Sequence, residues 1–167
     1  MTEIKIGGYY PGVLGKITEI HAVYYYKNWG FDISFETQVG RELSAFMSKF
    51  DEARDGFWAA THDGKFAGSI AIDGHTTPAE GARLRWFIVD PAFQNAGLGK
   101  ELIFRAVEFC KQKKCPKIFL WTFEGLDAAR RLYEQCHFKL SEAHDVYQWG
   151  RHIKEQKFEL ILENRMR

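Results

Sequence analysis

The sequence predicts an α+β fold, a mixed β-sheet flanked by helices, and three observations carry that expectation. Phe57–Thr61 and Lys65–Ile72 are strand-like runs joined by His62-Asp63-Gly64, whose Asp-Gly step signals a hairpin and so antiparallel pairing. Arg83–Val89, a third such run, leads through a helix-like stretch to Ile118–Thr122, the strand–helix–strand order of a right-handed parallel crossover. Two helical patterns precede these strands, so helices are available to cover a sheet face.

Taken in chain order, Ile4 and Ile6 form a short first strand ahead of the turn residues Gly7-Gly8 and Pro11-Gly12. From Leu14 to Trp29, the apolar residues Ile17, Ile20, Val23, Tyr24 and Tyr26 keep a rough helical period, and Gly30 ends the helix. Asp32 or Ser34 caps the next helix. Its Val39, Leu43, Phe46, Met47 and Phe50 fall on one continuous face. After the hairpin, Asp73-Gly74 opens a loop that runs through Pro78 to Gly81. The near-continuous apolar end of Arg83–Val89 predicts a central strand buried on both faces. Leu98, Leu102, Ile103, Ala106, Phe109 and Cys110 then stripe a helix that Pro116 stops. A short helix follows over about Asp127–Cys136, and Val146–Trp149 and Phe158–Leu162 read as two terminal strands.

The 167 residues are expected to form a single domain over 1–167, and 46% hydrophobic with 16% aromatic residues suits an ordered core. A formal net charge of +1 gives no electrostatic basis for a nucleic-acid partner or a membrane surface. The basic run Lys111–Lys114 reads as solvated cations at a helix end. Cys110, Cys115 and Cys136 are odd in number and lack Cys-x-x-Cys spacing, which argues against zinc and against a disulfide framework; Cys110 is expected as a buried thiol. The six histidines show no helical i, i+4 pair, so no metal is expected. Neither a leader-like start nor a spanning stretch stands out, so no membrane association and a cytoplasmic location are the default expectations.

Chemistry is most legible in Val89–Lys100, where Gln94-Asn95-Ala96-Gly97-Leu98-Gly99-Lys100 joins a strand to a helix. Glycines let the backbone approach a phosphate, and the helix start aims N–H groups and partial positive charge at it. A P-loop is excluded: Gln94 stands where the first glycine belongs, and Glu101 follows Gly99-Lys100 in place of Ser or Thr. A dinucleotide fingerprint is excluded by Leu102 at its third glycine position. Pyrophosphate binding is the remaining expectation.

Gln94–Gly99 resembles the Gln/Arg-x-x-Gly-x-Gly/Ala loop of the GCN5-related N-acetyltransferases (GNAT family), and Val89-x-Pro91 before it agrees. Ala129–Phe138 resembles a second motif, Ala-x-x-Leu-Tyr-x-x-x-Gly-Phe, in the expected order. The resemblance runs from about Ile4 to Leu162. It implies the three-layer acyl-CoA N-acyltransferase fold with a mixed, mostly antiparallel central sheet. It implies acetyl-CoA as cosubstrate, its pyrophosphate on the loop Gln94, Asn95, Ala96, Gly97, Leu98, Gly99 and Lys100. It further implies main-chain N–H groups of Phe87, Ile88 and Val89 for pantetheine and oxyanion, and Tyr133 as the acid for coenzyme A. The acceptor so implied is the amine of a small molecule or peptide, and a homodimer is compatible with it.

Gly8-Tyr9, Trp29–Asp32 and Leu120–Glu124 further resemble the acetyltransferase portion of winged-helix regulator fusions, although these residues hold no counterpart of the DNA-binding portion. Two departures keep a non-catalytic coenzyme A sensor as the alternative. His137 replaces the usual Gly, which is costly where φ is positive. Leu126 replaces an Asn that meets the pantetheine arm, leaving Thr122 or Glu124 to contribute. For the base, Glu36, Asp73, His75 and Glu80 are candidates, each with an ordinary surface role as its alternative. His21, Tyr24 and Tyr25 are pocket candidates that also fit a core stripe. Arg83 and Arg85 favour an acidic acceptor, unless surface carboxylates pair with them.

Overall fold

The Asp-Gly step turns as its composition dictates. Asp63 and Gly64 take φ of 55° and 74°, the left-handed pair that matches hairpin twist. They join β2 (Gly56–His62) to β3 (Lys65–Asp73) in antiparallel register. The computed structural model describes residues 3–76 and 79–162; Pro78, expected in the loop after Asp73, lies outside them. The remaining elements are β1 (Lys5–Gly7), α1 (Val13–Trp29), α2 (Ile33–Ser48), β4 (Ala82–Val89), α3 (Leu98–Gln112), β5 (Lys117–Phe123), α4 (Asp127–Gln135), β6 (Lys139–Gln148) and β7 (Arg151–Ile161). The strands form one sheet in the order β1-β2-β3-β4-β5-β7-β6. Only β4 and β5 are parallel. The mixed, mostly antiparallel sheet flanked by helices is therefore observed.

Helix ends follow their local chemistry. Gly30 takes φ 74° and its N–H bonds back to α1 carbonyls, while the Asp32 carboxylate accepts the Ser34 N–H at the start of α2. Val13 and Ile17 of α1 join Leu43 and Phe46 of α2 over Phe57, Phe66, Ala71 and Ile88 on one sheet face. Leu102, Ile103, Ala106 and Cys110 of α3 cover Ile70, Ile72, Leu84, Ile118 and Leu120 on the other. A third cluster is aromatic: Phe31, Phe35 and Phe123 with Tyr25, Trp29, Trp86 and Trp149 at its edge.

Two expectations need correction. β4 is not buried on both faces, since Arg85, Trp86, Phe87 and Val89 are only half-buried; β3 is the strand buried along its length after Lys65. The cause is a bulge. Arg85 pairs with Ala71 and Ile88 with Ser69, so Trp86 and Phe87 together oppose Ile70. Trp86 has φ 47°, unusual for a bulky side chain, and the Ser69 hydroxyl donates to its carbonyl at 2.8 Å. Downstream of the Ala82↔Ile118 and Arg83↔Phe119 pairs, β4 and β5 separate. The terminal strands are also longer than expected, because β6 and β7 make a hairpin turning at Trp149 (φ 55°) and Gly150 (φ 82°).

Candidate active site

The separation of β4 from β5 leaves a cleft of about 400 Å³. Its walls are built from several elements. β4 gives Arg83, Arg85 and Phe87; β5 gives Trp121 and Thr122; α4 gives Tyr133. α1 and α2 add His21, Gln38 and Glu42, and the β6–β7 hairpin adds Gln148, Trp149 and Glu155. The hairpin tip is pinned in place: the Asp32 N–H donates to the Trp149 carbonyl at 3.0 Å, and the Trp149 indole N–H donates to Gln38 Oε1 at 2.9 Å.

The glycine loop adjoins this cleft. Gly97 is the N-cap of α3 at φ 81°, and the first helical bond runs from the Glu101 N–H to its carbonyl. The N–H groups of Leu98, Gly99 and Lys100 thus precede the helical ladder and are free to meet an anion. Asn95 also takes a positive φ, 67°. A Cβ added at Gly97 meets nothing within 4 Å, so the outer side of the loop is open. Gly99 has a different reason to be glycine: a Cβ there would meet Leu132 at 2.9 Å and the Phe87 ring at 3.4 Å. That close approach fixes the start of α3 against the cleft end of β4. Leu98 is buried in the core, so its main chain alone faces the loop. The Gln94 side-chain amide folds back toward the Val89 carbonyl at 3.4 Å.

Tyr133 lies in the cleft wall with its ring 5.9 Å from that of Phe87 and 6.0 Å from those of Phe138 and Phe158. Burial pushes its phenol well above the ordinary value, so it stays protonated. His137 takes φ 73° and its N–H bonds to the Glu134 carbonyl; the left-handed stop of the motif is kept without glycine. Leu126 lines the cleft and packs with the aromatic cluster.

Other expected residues divide. His21 and Tyr25 line the cleft, whereas Tyr24 does not. The His21 ring is buried and its Nδ1–H donates to the Ile17 carbonyl at 2.8 Å; burial lowers its pKa to about 4, so it is neutral. Glu36 belongs to a separate groove on the outer side of α1 and α2. Asp73 and His75 sit with Asp55, their ligand atoms within 4.8 Å of one another. Those carboxylates are already engaged: Asp55 accepts the Asp51 and Gly74 N–H groups, and Asp73 accepts from His75 and Arg85. Burial alone would raise Asp73, but these bonds and the Arg85 charge hold it below its ordinary value. The cluster is a clasp between two loops. Glu80 is exposed and outside the cleft. Gln38, Glu42, Trp121, Gln148 and Glu155 were not expected in the site. The signal for the last two was the Trp149-Gly150 turn between two strand-like runs.

Against known proteins, the description of the acetyltransferase (GNAT) family matches residues 15–138. The chain belongs to the GNAT family of acetyltransferases. An uncharacterised N-acetyltransferase of Methanocaldococcus jannaschii is 29% identical over 135 residues, which are 78% of this chain and 54% of that protein. This GNAT chain thus spans about half the length of that curated relative. The solved structure of yncA from Salmonella typhimurium with its cofactor acetyl-CoA has a TM-score of 0.76 at 14% identity, covering 99% of this chain and 97% of that one. The ribosomal-protein-S18-alanine N-acetyltransferase of Escherichia coli has a TM-score of 0.71 at 19% identity, covering 98% and 97%. Gln148 and Glu155 lie beyond the segment that the GNAT description matches. Among the described residues, no helix is long and apolar enough to cross a membrane.

Proposed function

We propose that this GNAT protein is an N-acetyltransferase that moves the acetyl group of acetyl-CoA to a primary amine of a small molecule or peptide. The observation that carries this reading is an open glycine loop at the start of α3 whose Gly99 packs against Phe87, a wall residue of the cleft that contains Tyr133. The loop Gln94–Lys100 would hold the pyrophosphate through main-chain N–H groups, and β4 main chain around Phe87–Val89, without a β5 partner, would hold the pantetheine arm. Bound acetyl-CoA supplies an activated thioester carbonyl. An acceptor amine must first lose a proton. Its nitrogen then bonds to the carbonyl carbon, the C–S bond breaks, and the sulfur leaves as a thiolate that takes up a proton.

Tyr133 is the donor this reading assigns to the departing sulfur. Its raised pKa shapes that role: full transfer from a phenol well above 10 to a thiolate of ordinary pKa about 8.5 is uphill, so a hydrogen bond to the sulfur is the favoured contribution. Thr122 and Leu126 both line the cleft, and Thr122 would supply the polar contact that Leu126 lacks. The test is acetyl-CoA consumption measured across amines, polyamines, amino acids, aminoglycosides and peptides. Selective turnover with one class is expected. Coenzyme A binding without turnover on any of them would mark a sensor instead.

A further inference from the structure

Arg83 and Arg85 sit two residues apart on one face of β4, yet their surroundings differ. Arg85 is saturated: its guanidinium reaches Asp73 at 3.2 Å, contacts Glu42 and stacks over the Trp86 ring at 4.2 Å. Arg83 makes no ion pair among the described residues, and its Nε is buried without a hydrogen-bond partner. Burial lowers its pKa, and the Arg85 charge lowers it further, against the pull of Glu42, Asp73 and Glu155. A cation left this way costs stability and contributes nothing to the fold unless something else completes it. Arg83 lines the cleft.

Two acceptor groups line the same cleft. Gln148 Oε1 is buried without a donor, and the half-buried Glu155 carboxylate, also in the cleft wall, acts on Arg83 through its charge. Arg83 is opposite Phe119 on β5, while Glu155 is opposite Phe123, so both side chains leave the sheet on one face. Four residues of strand separate the two levels, about 13 Å of backbone. β5 also lies between β4 and β7, so the two side chains face one another across the cleft, near enough for the Glu155 charge to act on the Arg83 guanidinium. Glu155 stands at the separating end of the cleft, the same end as Phe87 and Tyr133, and Arg83 at the paired end.

We propose that the acceptor is a free amino acid, its carboxylate bound by Arg83 and its amine held by Glu155 at the end of the cleft where the strands part. This rests on the acetyltransfer reading and narrows it from amines in general to zwitterions. The chemistry is that of complementary charge in a half-buried site, where an analogue lacking one group leaves a buried partner unpaired and is rejected.

The experiment uses the full chain, a panel of L-amino acids, and for each the carboxyl-amide and the decarboxylated amine. Acetyl-CoA turnover gives kcat/KM, and calorimetry with coenzyme A present gives binding without chemistry. At least one amino acid should exceed its amide and its amine by about 100-fold or more. Arg83→Gln should erase that preference, so that the amino acid, its amide and its amine are turned over at similar rates, and Glu155→Gln should weaken all three compounds. Arg83→Met should keep Tm near the wild-type value, since it removes a guanidinium whose buried Nε has no partner. Should Arg83→Gln fail to fold, Arg83→Lys carries the same test through a preference reduced about tenfold or more. Equal rates on amino acids and amides, an undiminished preference in Arg83→Gln, or no amino acid bound by the coenzyme A-loaded protein would each overturn the assignment. Amino acids bound with no thioester loss would support the pocket while overturning the acetyltransfer reading.

Discussion

β4 is bonded to β3 along most of its length and to β5 over only two residue pairs, and the two seams do different work. On the β3 side, Ile70, Ala71 and Ile72 are fully buried and both faces are covered by helices. On the β5 side, aromatic rings and charged groups surround an opening, and two buried polar atoms, on Arg83 and Gln148, have no partner. Native interiors rarely leave such atoms unpaired. The closed seam therefore carries stability, and the open one is where the proposed recognition and chemistry fall. The bulge at Trp86 separates them, and its strain is held by the Ser69 bond and by the rings packed around it.

The sharpest division between the seams comes from Tyr133→Phe. It removes one hydroxyl from the open side, so turnover should fall by about two to four decades with coenzyme A affinity and Tm nearly unchanged. A collapse of Tm with normal turnover per folded molecule would instead make the hydroxyl a structural group. Ile72→Ala is the converse change on the closed side. Urea unfolding should show a loss of about 2–5 kcal/mol, and the folded fraction should turn over normally.

His21 lies between the two regions, and pH reports on it. Its folded-state pKa of about 4 is below the ordinary 6.5, so the unfolded chain binds the extra proton between those values. Stability from this group is complete above pH 6.5 and is lost as pH falls toward 4, in total of the order of 3 kcal/mol. His21→Gln should flatten that part of the stability profile; an identical slope in the variant would remove His21 as its source. The smallest effect is expected for Ser69→Ala. Freeing the Trp86 carbonyl should cost about 1–3 kcal/mol by urea unfolding and also lower turnover, because this bond is where the seams meet.

The closed seam was legible in sequence and the open one only partly so. Helix stripes, the Asp63-Gly64 turn and the crossover into Ile118–Thr122 follow from periodicity and turn chemistry, which act locally. The bulge does not: nothing in Arg85-Trp86-Phe87 announces a tryptophan at positive φ, since the compensation comes from Ser69 on another strand. The early part of β6 was invisible because Lys139–Asp145 is exposed at every position, an edge strand without apolar alternation. Backbone pairing and cross-strand charges such as Lys157–Glu142 and Lys154–Asp145 hold it. Missing that hairpin also hid Gln148 and Glu155. The glycine turn into α3 could be located from sequence because its motif is short and contiguous, and the same holds for the helix that brings Tyr133 to the cleft wall.

The proposed acetyl-CoA site at the open seam is tested most directly by thermal unfolding with coenzyme A in the wild type and in Gly97→Asp. The variant suits the purpose: the loop is open at that position, and Asp tolerates a left-handed φ better than most residues. Coenzyme A at about 100 times its Kd should raise the wild-type Tm by about 5–10 °C, whereas ATP and nicotinamide dinucleotides should give little. In Gly97→Asp, the Tm without ligand should stay near the wild-type value and the coenzyme A shift should vanish, because a carboxylate then faces the phosphates. A coenzyme A shift of wild-type size in that variant would contradict the assignment of the loop, and with it the account of the cleft.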